Sequence, residues 1–187
     1  MGWFRSLTSA FVLIATASAA SAQTHNVGPA VGARLPAFEA PDQSNANRDL
    51  ASLMGENGLV LLVTRSADWC PYCQRQLIGL EGVRAQIEQR GWKLAAVTTD
   101  TVPEIARFVA RRDIGFPILS DEPAAIVRAM NLLDPTQPPG SRHNGLPVPT
   151  LFFVTPDGVV SAKLGDENYR VRPAPELAVA TIDNLGD

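Results

Sequence analysis

Apolar residues in this chain follow two alternating patterns: short continuous runs, and longer stretches in which apolar positions recur every three or four residues. The clearest run is Leu59-Val60-Leu61-Leu62-Val63-Thr64, bounded by Gly58 and by the polar turn after Ser66. With no polar alternation, it suits a strand covered on both faces. Residues 92–99 and 116–120 read as further strands. Between the runs, 74–90 carries Leu77, Leu80 and Ile87 at helical spacing and is followed by Gly91, a suitable C-cap. Pro103 opens a helix through Arg112 with Ile105, Phe108 and Val109 as its apolar stripe, and arginines load its second half, where the helix dipole favours cations. Asp121-Glu122-Pro123 caps a helix reaching about Asn131. Residues 150–154 and 159–164 flank the turn Pro156-Asp157-Gly158 as a hairpin, and 176–185 forms a last helix. This alternation predicts an α/β layer protein with helices packed on a mostly parallel core sheet.

One segment resists the pattern. Residues 134–149, DPTQPPGSRHNGLPVP, hold five prolines and two glycines, so a regular element is excluded there. The segment 134–147 is expected to shape the rim of a site and to carry substrate identity.

Composition narrows the picture. With 187 residues, 45% of them hydrophobic and 19% charged, the chain fits one domain plus a removable segment. Residues 1–22 supply the latter: Arg5 in a short basic region, an apolar run over 11–15, and small residues ending Ala20-Ser21-Ala22. This is a secretory signal pattern with cleavage before Gln23, and its apolar run is too short to anchor. Residues 23–187 then form a domain, its core at about 31–185, exported to an oxidising compartment, the bacterial periplasm. No later stretch is long and apolar enough to span a membrane. A net charge of −3 with scattered Lys and Arg leaves nucleic-acid binding without electrostatic support. Two cysteines cannot build a disulfide scaffold. A chain of this size holds itself together by burial, which frees the pair for chemistry.

That pair lies in Ala67-Asp68-Trp69-Cys70-Pro71-Tyr72-Cys73, between a buried strand and a helix. A cysteine at a helix N-terminus faces unpaired backbone N–H groups, which favour thiolate over thiol. Pro71 suits the first helical turn. Cys73, one turn on, can attack a mixed disulfide at Cys70 and release reduced product. A static cross-link of such a short loop gains little chain entropy. A zinc site needs four ligands in closely spaced pairs, and one C-x-x-C with no second pair beside the separate His25 and His143 does not give that pattern.

These residues resemble the thioredoxin-fold redoxins of the alkyl hydroperoxide reductase and thiol-specific antioxidant (AhpC/TSA) family and their secreted thiol-disulfide exchange relatives. The carriers are VGARLPAFEAPD, LVLLVTRSADWCPYCQRQL and VPTLFFVTPDGVV. The resemblance implies a thioredoxin-like fold, a central mixed β-sheet flanked by helices with an N-terminal extension, and no cofactor or metal. It implies Cys70 as attacking and Cys73 as resolving thiol, with Trp69, Pro71 and Tyr72 in support. It also implies a cis-proline at Pro149, exposing the Val148 backbone beside Thr150 as an edge for an extended substrate.

The peroxiredoxin pattern of proline, three residues, Thr or Ser, two residues and cysteine, laid on Cys73, finds Ser66 and Cys70. Its arginine falls near Pro149, and Arg65 or Arg142 could stand in. Thr64 occupies the place of the buried acid of thioredoxins, with Asp68 able to assist. The leading expectation is a thiol-disulfide oxidoreductase acting on periplasmic proteins with a redox-recycling partner. The alternative is a thiol peroxidase reducing hydroperoxides. A remote third is a copper chaperone using both thiolates and His143.

Overall fold

The computed structural model describes residues 26–141 and 143–186. The expected signal segment, His25 and Arg142 lie outside them. Twelve elements follow in order: β1 (Glu39–Pro41), β2 (Asn47–Asp49), α1 (Leu50–Leu53), β3 (Gly58–Val63), α2 (Pro71–Glu88), β4 (Trp92–Thr98), α3 (Val102–Arg112), β5 (Ile118–Ser120), α4 (Ala125–Ala129), β6 (Thr150–Val154), β7 (Val160–Gly165) and α5 (Pro175–Leu185). The main sheet has the order β5-β4-β3-β6-β7. Strands β3, β4 and β5 are parallel, while β6 runs antiparallel to β3 and to β7. This is the mixed sheet, flanked by helices, of a thioredoxin-like fold.

The apolar run of β3 is continuous because both its faces are buried. Val60 and Leu62 pack with Leu77, Leu80 and Ile87 of α2, Ile105 and Phe108 of α3, and Ala178 and Ile182 of α5. Leu59, Leu61 and Val63 face the other way, onto Ile126 and Val127 of α4, Leu53 of α1 and Phe152. Fully burying such a side chain contributes about 1.5–3 kcal/mol. The strand that leads to the cysteines is thus held from both sides.

Departures from the expected elements have local causes. Helix α2 begins at Pro71, before residue 74, because Cys70 caps it and proline fits its first position. Strand β5 starts after Pro117, which lacks an N–H for the ladder. Asp121 serves α4 from upstream of its N-cap residue Ala124, accepting the N–H groups of Ile126 and Val127 at 2.8 Å each. The β1–β2 hairpin, too short to show periodicity, is knitted by Asp42, which accepts from Ser44, Ala46 and Arg48.

Candidate functional site

The site stands where β3 gives way to α2. Ser66 Oγ accepts the N–H groups of Asp68 and Trp69 at 3.0 Å each, and Asp100 Oδ2 accepts that of Ala67 at 2.6 Å. Gln74 Nε2 reaches back to the carbonyls of Ala67 and Asp68 at 2.9 and 2.7 Å. These bonds tie the turn to itself, to the residue after β4 and to the start of α2, and so position Cys70. Ser120 Oγ in turn donates to the Asp100 carbonyl at 2.7 Å. Burial pushes the Asp100 carboxyl above the usual range, against the hydrogen bonds from Ser66 and Ala67 that pull it down. Asp100 is thus a buried acid that anchors the turn before the cysteines. Thr64, at the position considered for that role, is buried with its hydroxyl unpartnered, and Asp68 is half-buried, its carboxylate 3.8 Å from Arg107.

Cys70 and Cys73 form a disulfide with Cα atoms 5.3 Å apart. Cys70 is the N-cap of α2, and its Sγ accepts the Cys73 N–H at 3.3 Å. Both cysteines are buried. Pro71 is exposed at the first helical position, and Trp69 is 51% exposed, with its ring centroid 6.1 Å from that of His143. That contact brings the 134–147 loop to the rim beside the pair. The loop closes on itself: Asp134 donates its N–H to the Leu146 carbonyl at 2.9 Å, and its carboxylate accepts from Thr136.

The Val148–Pro149 bond is trans, correcting the cis expectation; among the described residues the cis bond is Glu122–Pro123. Nor is Val148 an open edge. It is buried, its N–H goes to the Leu132 carbonyl at 2.8 Å, and its carbonyl accepts from Thr150 Oγ1 at 3.0 Å. The bridge between Leu133 and Pro147 already occupies the pairing capacity that an extended substrate needs. Thr150 itself is buried in β6, paired with Val63 and Gly165.

The other side of the disulfide holds residues that sequence reasoning missed. Arg172, between β7 and α5, places Nη2 3.7 Å from Cys73 Sγ. Its Nη1 donates to the carbonyls of Tyr169 and Val171, while its buried Nε has no partner. Burial and the nearby Arg65 charge push its pKa down to about 10, so it remains a cation at neutral pH. Arg65 does not reach the sulfur. It is ion-paired with buried Asp134, donates to the Pro147 carbonyl, and lies 3.9 Å from the centroid of the Tyr169 ring. Tyr169 meets Tyr72 edge-on at 6.0 Å. The only available signal was compositional: a Tyr and two arginines within 169–172, far in sequence from the cysteines.

Chemically, this arrangement stabilises negative charge on Cys73 sulfur through a guanidinium and on Cys70 sulfur through the helix N-terminus. Among the described residues, no cluster of three His, Cys, Asp or Glu could hold a metal ion. None of their helices is long and apolar enough to cross a membrane.

Comparison with known proteins bears on the family and the fold. The model of the AhpC/TSA family matches residues 31–163. A 1-Cys peroxiredoxin of Hordeum vulgare is 26% identical over 165 residues, covering 84% of this chain and 73% of the relative. The crystal structure of peroxidoxin BcpB from Mycobacterium tuberculosis superposes with a TM-score of 0.71 at 21% identity, over 85% of this chain and 98% of that one. A peroxiredoxin 6 of Arenicola marina gives 0.74 at 21% identity, over 85% and 74%.

Proposed function

Because the chain belongs to the AhpC/TSA family, we propose that this thiol-dependent oxidoreductase reduces hydroperoxides and turns over through the Cys70–Cys73 disulfide. The observation that carries the reading is the Arg172 guanidinium on Cys73 sulfur. In the reduced protein that charge favours the Cys73 thiolate, which attacks the terminal oxygen of the peroxide. The O–O bond breaks, the alkoxide leaves and takes up a proton as alcohol, and Cys73 becomes a sulfenic acid. The Cys70 thiol then attacks that sulfur, closing the disulfide and releasing water. Both cysteines already lie within one helical turn, so resolution requires no unfolding of α2.

Recycling takes two thiols of a reductant. The first attacks Cys70 and expels Cys73 as the thiolate, a leaving group that Arg172 stabilises. The second attacks the mixed disulfide and frees Cys70. The sum is peroxide plus two thiols giving alcohol, water and one disulfide. A yeast mitochondrial 1-Cys peroxiredoxin with the same fold is resolved through glutathione and thioredoxin systems, and a dithiol or small thiol of that kind fits this cycle. The signal pattern read in residues 1–22 supports export, with the periplasm as the compartment of the reaction.

Stopped-flow mixing of the reduced protein with hydrogen peroxide tests the assignment. Cys73→Ser is expected to abolish the fast phase, and Cys70→Ser to retain it and leave a sulfenic acid that dimedone labels. A wild-type rate no faster than that of a free thiolate overturns it. The second reading, exchange with protein disulfides, is supported by Cys70 as the N-cap of α2 with its sulfur on the Cys73 N–H. It has the opposite signature: Cys70→Ser inactive in insulin reduction, and Cys73→Ser trapping a mixed disulfide with substrate.

A further inference from the structure

Among the described arginines, Arg34, Arg48, Arg65, Arg84, Arg90 and Arg107 form ion pairs. Arg75, Arg111, Arg112, Arg128, Arg170 and Arg172 form none with described residues, and three of these, Arg75, Arg170 and Arg172, converge on one place. Arg75 stands 4.7 Å from the centroid of the Tyr72 ring, and Arg170 5.3 Å from that of Tyr169, with Nε 3.2 Å from its hydroxyl. The two rings touch edge-on, and Arg172 continues the group to Cys73 sulfur. Arg75 and Arg170 are exposed, while Tyr72, Tyr169 and Arg172 are partly so.

Asp134 is taken by Arg65, and Asp166 and Glu167, on the loop before Tyr169, form no ion pair with the cluster. In a chain of net charge −3, three arginines without an ion pair thus gather on the tyrosine side of the cysteine pair.

Resting on the proposed cycle, we infer that this arginine and tyrosine cluster is a subsite for a carboxylate carried by a small molecule that reacts at the cysteines. Guanidinium groups match a carboxylate in geometry and charge, and the Tyr72 and Tyr169 rings hold Arg75 and Arg170 beside the cysteines. Arg75 and Arg170 hold the charge at the rim while Arg172 stays on the sulfur. The carboxylate belongs to the oxidant, a carboxylated hydroperoxide, or to the reductant, a carboxylated thiol. Either is recognised by the same contacts.

Two matched pairs of probes separate the sources. Linoleic acid hydroperoxide and its methyl ester are reacted with the reduced protein, and mercaptopropionate and its methyl ester with the disulfide form. The charged member is expected to react about tenfold faster in at least one pair, the effect of one charge-assisted hydrogen bond. Added salt should shrink that preference, and the Arg75→Ala/Arg170→Ala variant should abolish it. A preference in the peroxide pair assigns the site to the oxidant, and one in the thiol pair to the reductant. No preference in either pair, or one that survives the double substitution, overturns the inference. Peroxides that fail to react at all remove the proposed cycle, while the thiol pair still decides the subsite.

Discussion

Arg65 and Arg172 flank the same tyrosine and are both drawn out of water, yet they are compensated differently. Arg65 has a buried carboxylate, Asp134, a carbonyl from the far end of the 134–147 loop, and the face of Tyr169. Burial lowers its pKa while Asp134 raises it. Arg172 has two carbonyls, an unpartnered Nε and a sulfur, with no carboxylate. Its missing partner is supplied only when Cys73 becomes a thiolate. The pair at Arg65 fastens a proline-rich loop to the strand end that carries the cysteines. The unpaired cation at Arg172 is compensated by the chemical state of the site instead.

The largest expected effect breaks the first half of this contrast. Arg65→Met leaves Asp134 buried without its cation, a change that costs about 3–5 kcal/mol. For a domain of this size that lowers Tm by about 10 °C, measurable by calorimetry on the oxidised protein. Adding Asp134→Asn, which keeps an acceptor for Thr136, is expected to restore most of the loss. If the single variant melts within about 2 °C of wild type, the pair does not fasten the loop.

Arg172→Met tests the other half and is expected to do the reverse. Thermal stability of the oxidised protein stays near wild type, since a buried cation without a carboxylate is removed. The Cys73 sulfur then loses the cation that stabilises its thiolate, so the peroxide reaction at neutral pH slows about tenfold and recovers as added base restores the thiolate. Arg172→Lys should recover part of the rate, because it keeps the charge and loses the planar donor geometry. A rate deficit that persists unchanged at high pH points to distortion of the site rather than to loss of the cation.

The same contrast explains what could be read in the chain beforehand. Strand β3, helix α2 and the cysteine pair were legible because their signals are local: a continuous apolar run, a proline after a capping cysteine, and one turn between the thiols. Arg65 was visible as a candidate because it sits in that same stretch. Arg172 was not, since it reaches Cys73 across 99 residues from a segment without periodicity. Asp100 escaped for the same reason. It follows a strand whose pattern describes burial, and its role depends on β4 lying beside β3. The trans bond before Pro149 was misread because the local Val-Pro-Thr match gives no sign that Leu132 takes the Val148 N–H. Local motifs located the reacting atoms, whereas the groups that tune them came from chain crossings that no short motif encodes.

The smallest expected effect comes from an ion pair of a third kind. Arg90, just beyond α2, and Asp183 of α5 meet at 2.5 and 3.0 Å, joining two helices that pack side by side, so the geometry matches that of a strong pair. Both side chains are substantially exposed, at 32% and 54%. Water and salt then screen the attraction, and ordering two long side chains offsets much of what remains. The packing of α5 rests on Ala178, Val179 and Ile182 in the core instead. Asp183→Ala is therefore expected to move Tm by less than about 2 °C and to leave the peroxide rate unchanged. A larger loss that disappears at high salt would mean that exposure is the wrong measure of what an ion pair contributes here. The ordering of Arg65, Arg172 and Arg90 would then have to be rebuilt on geometry alone.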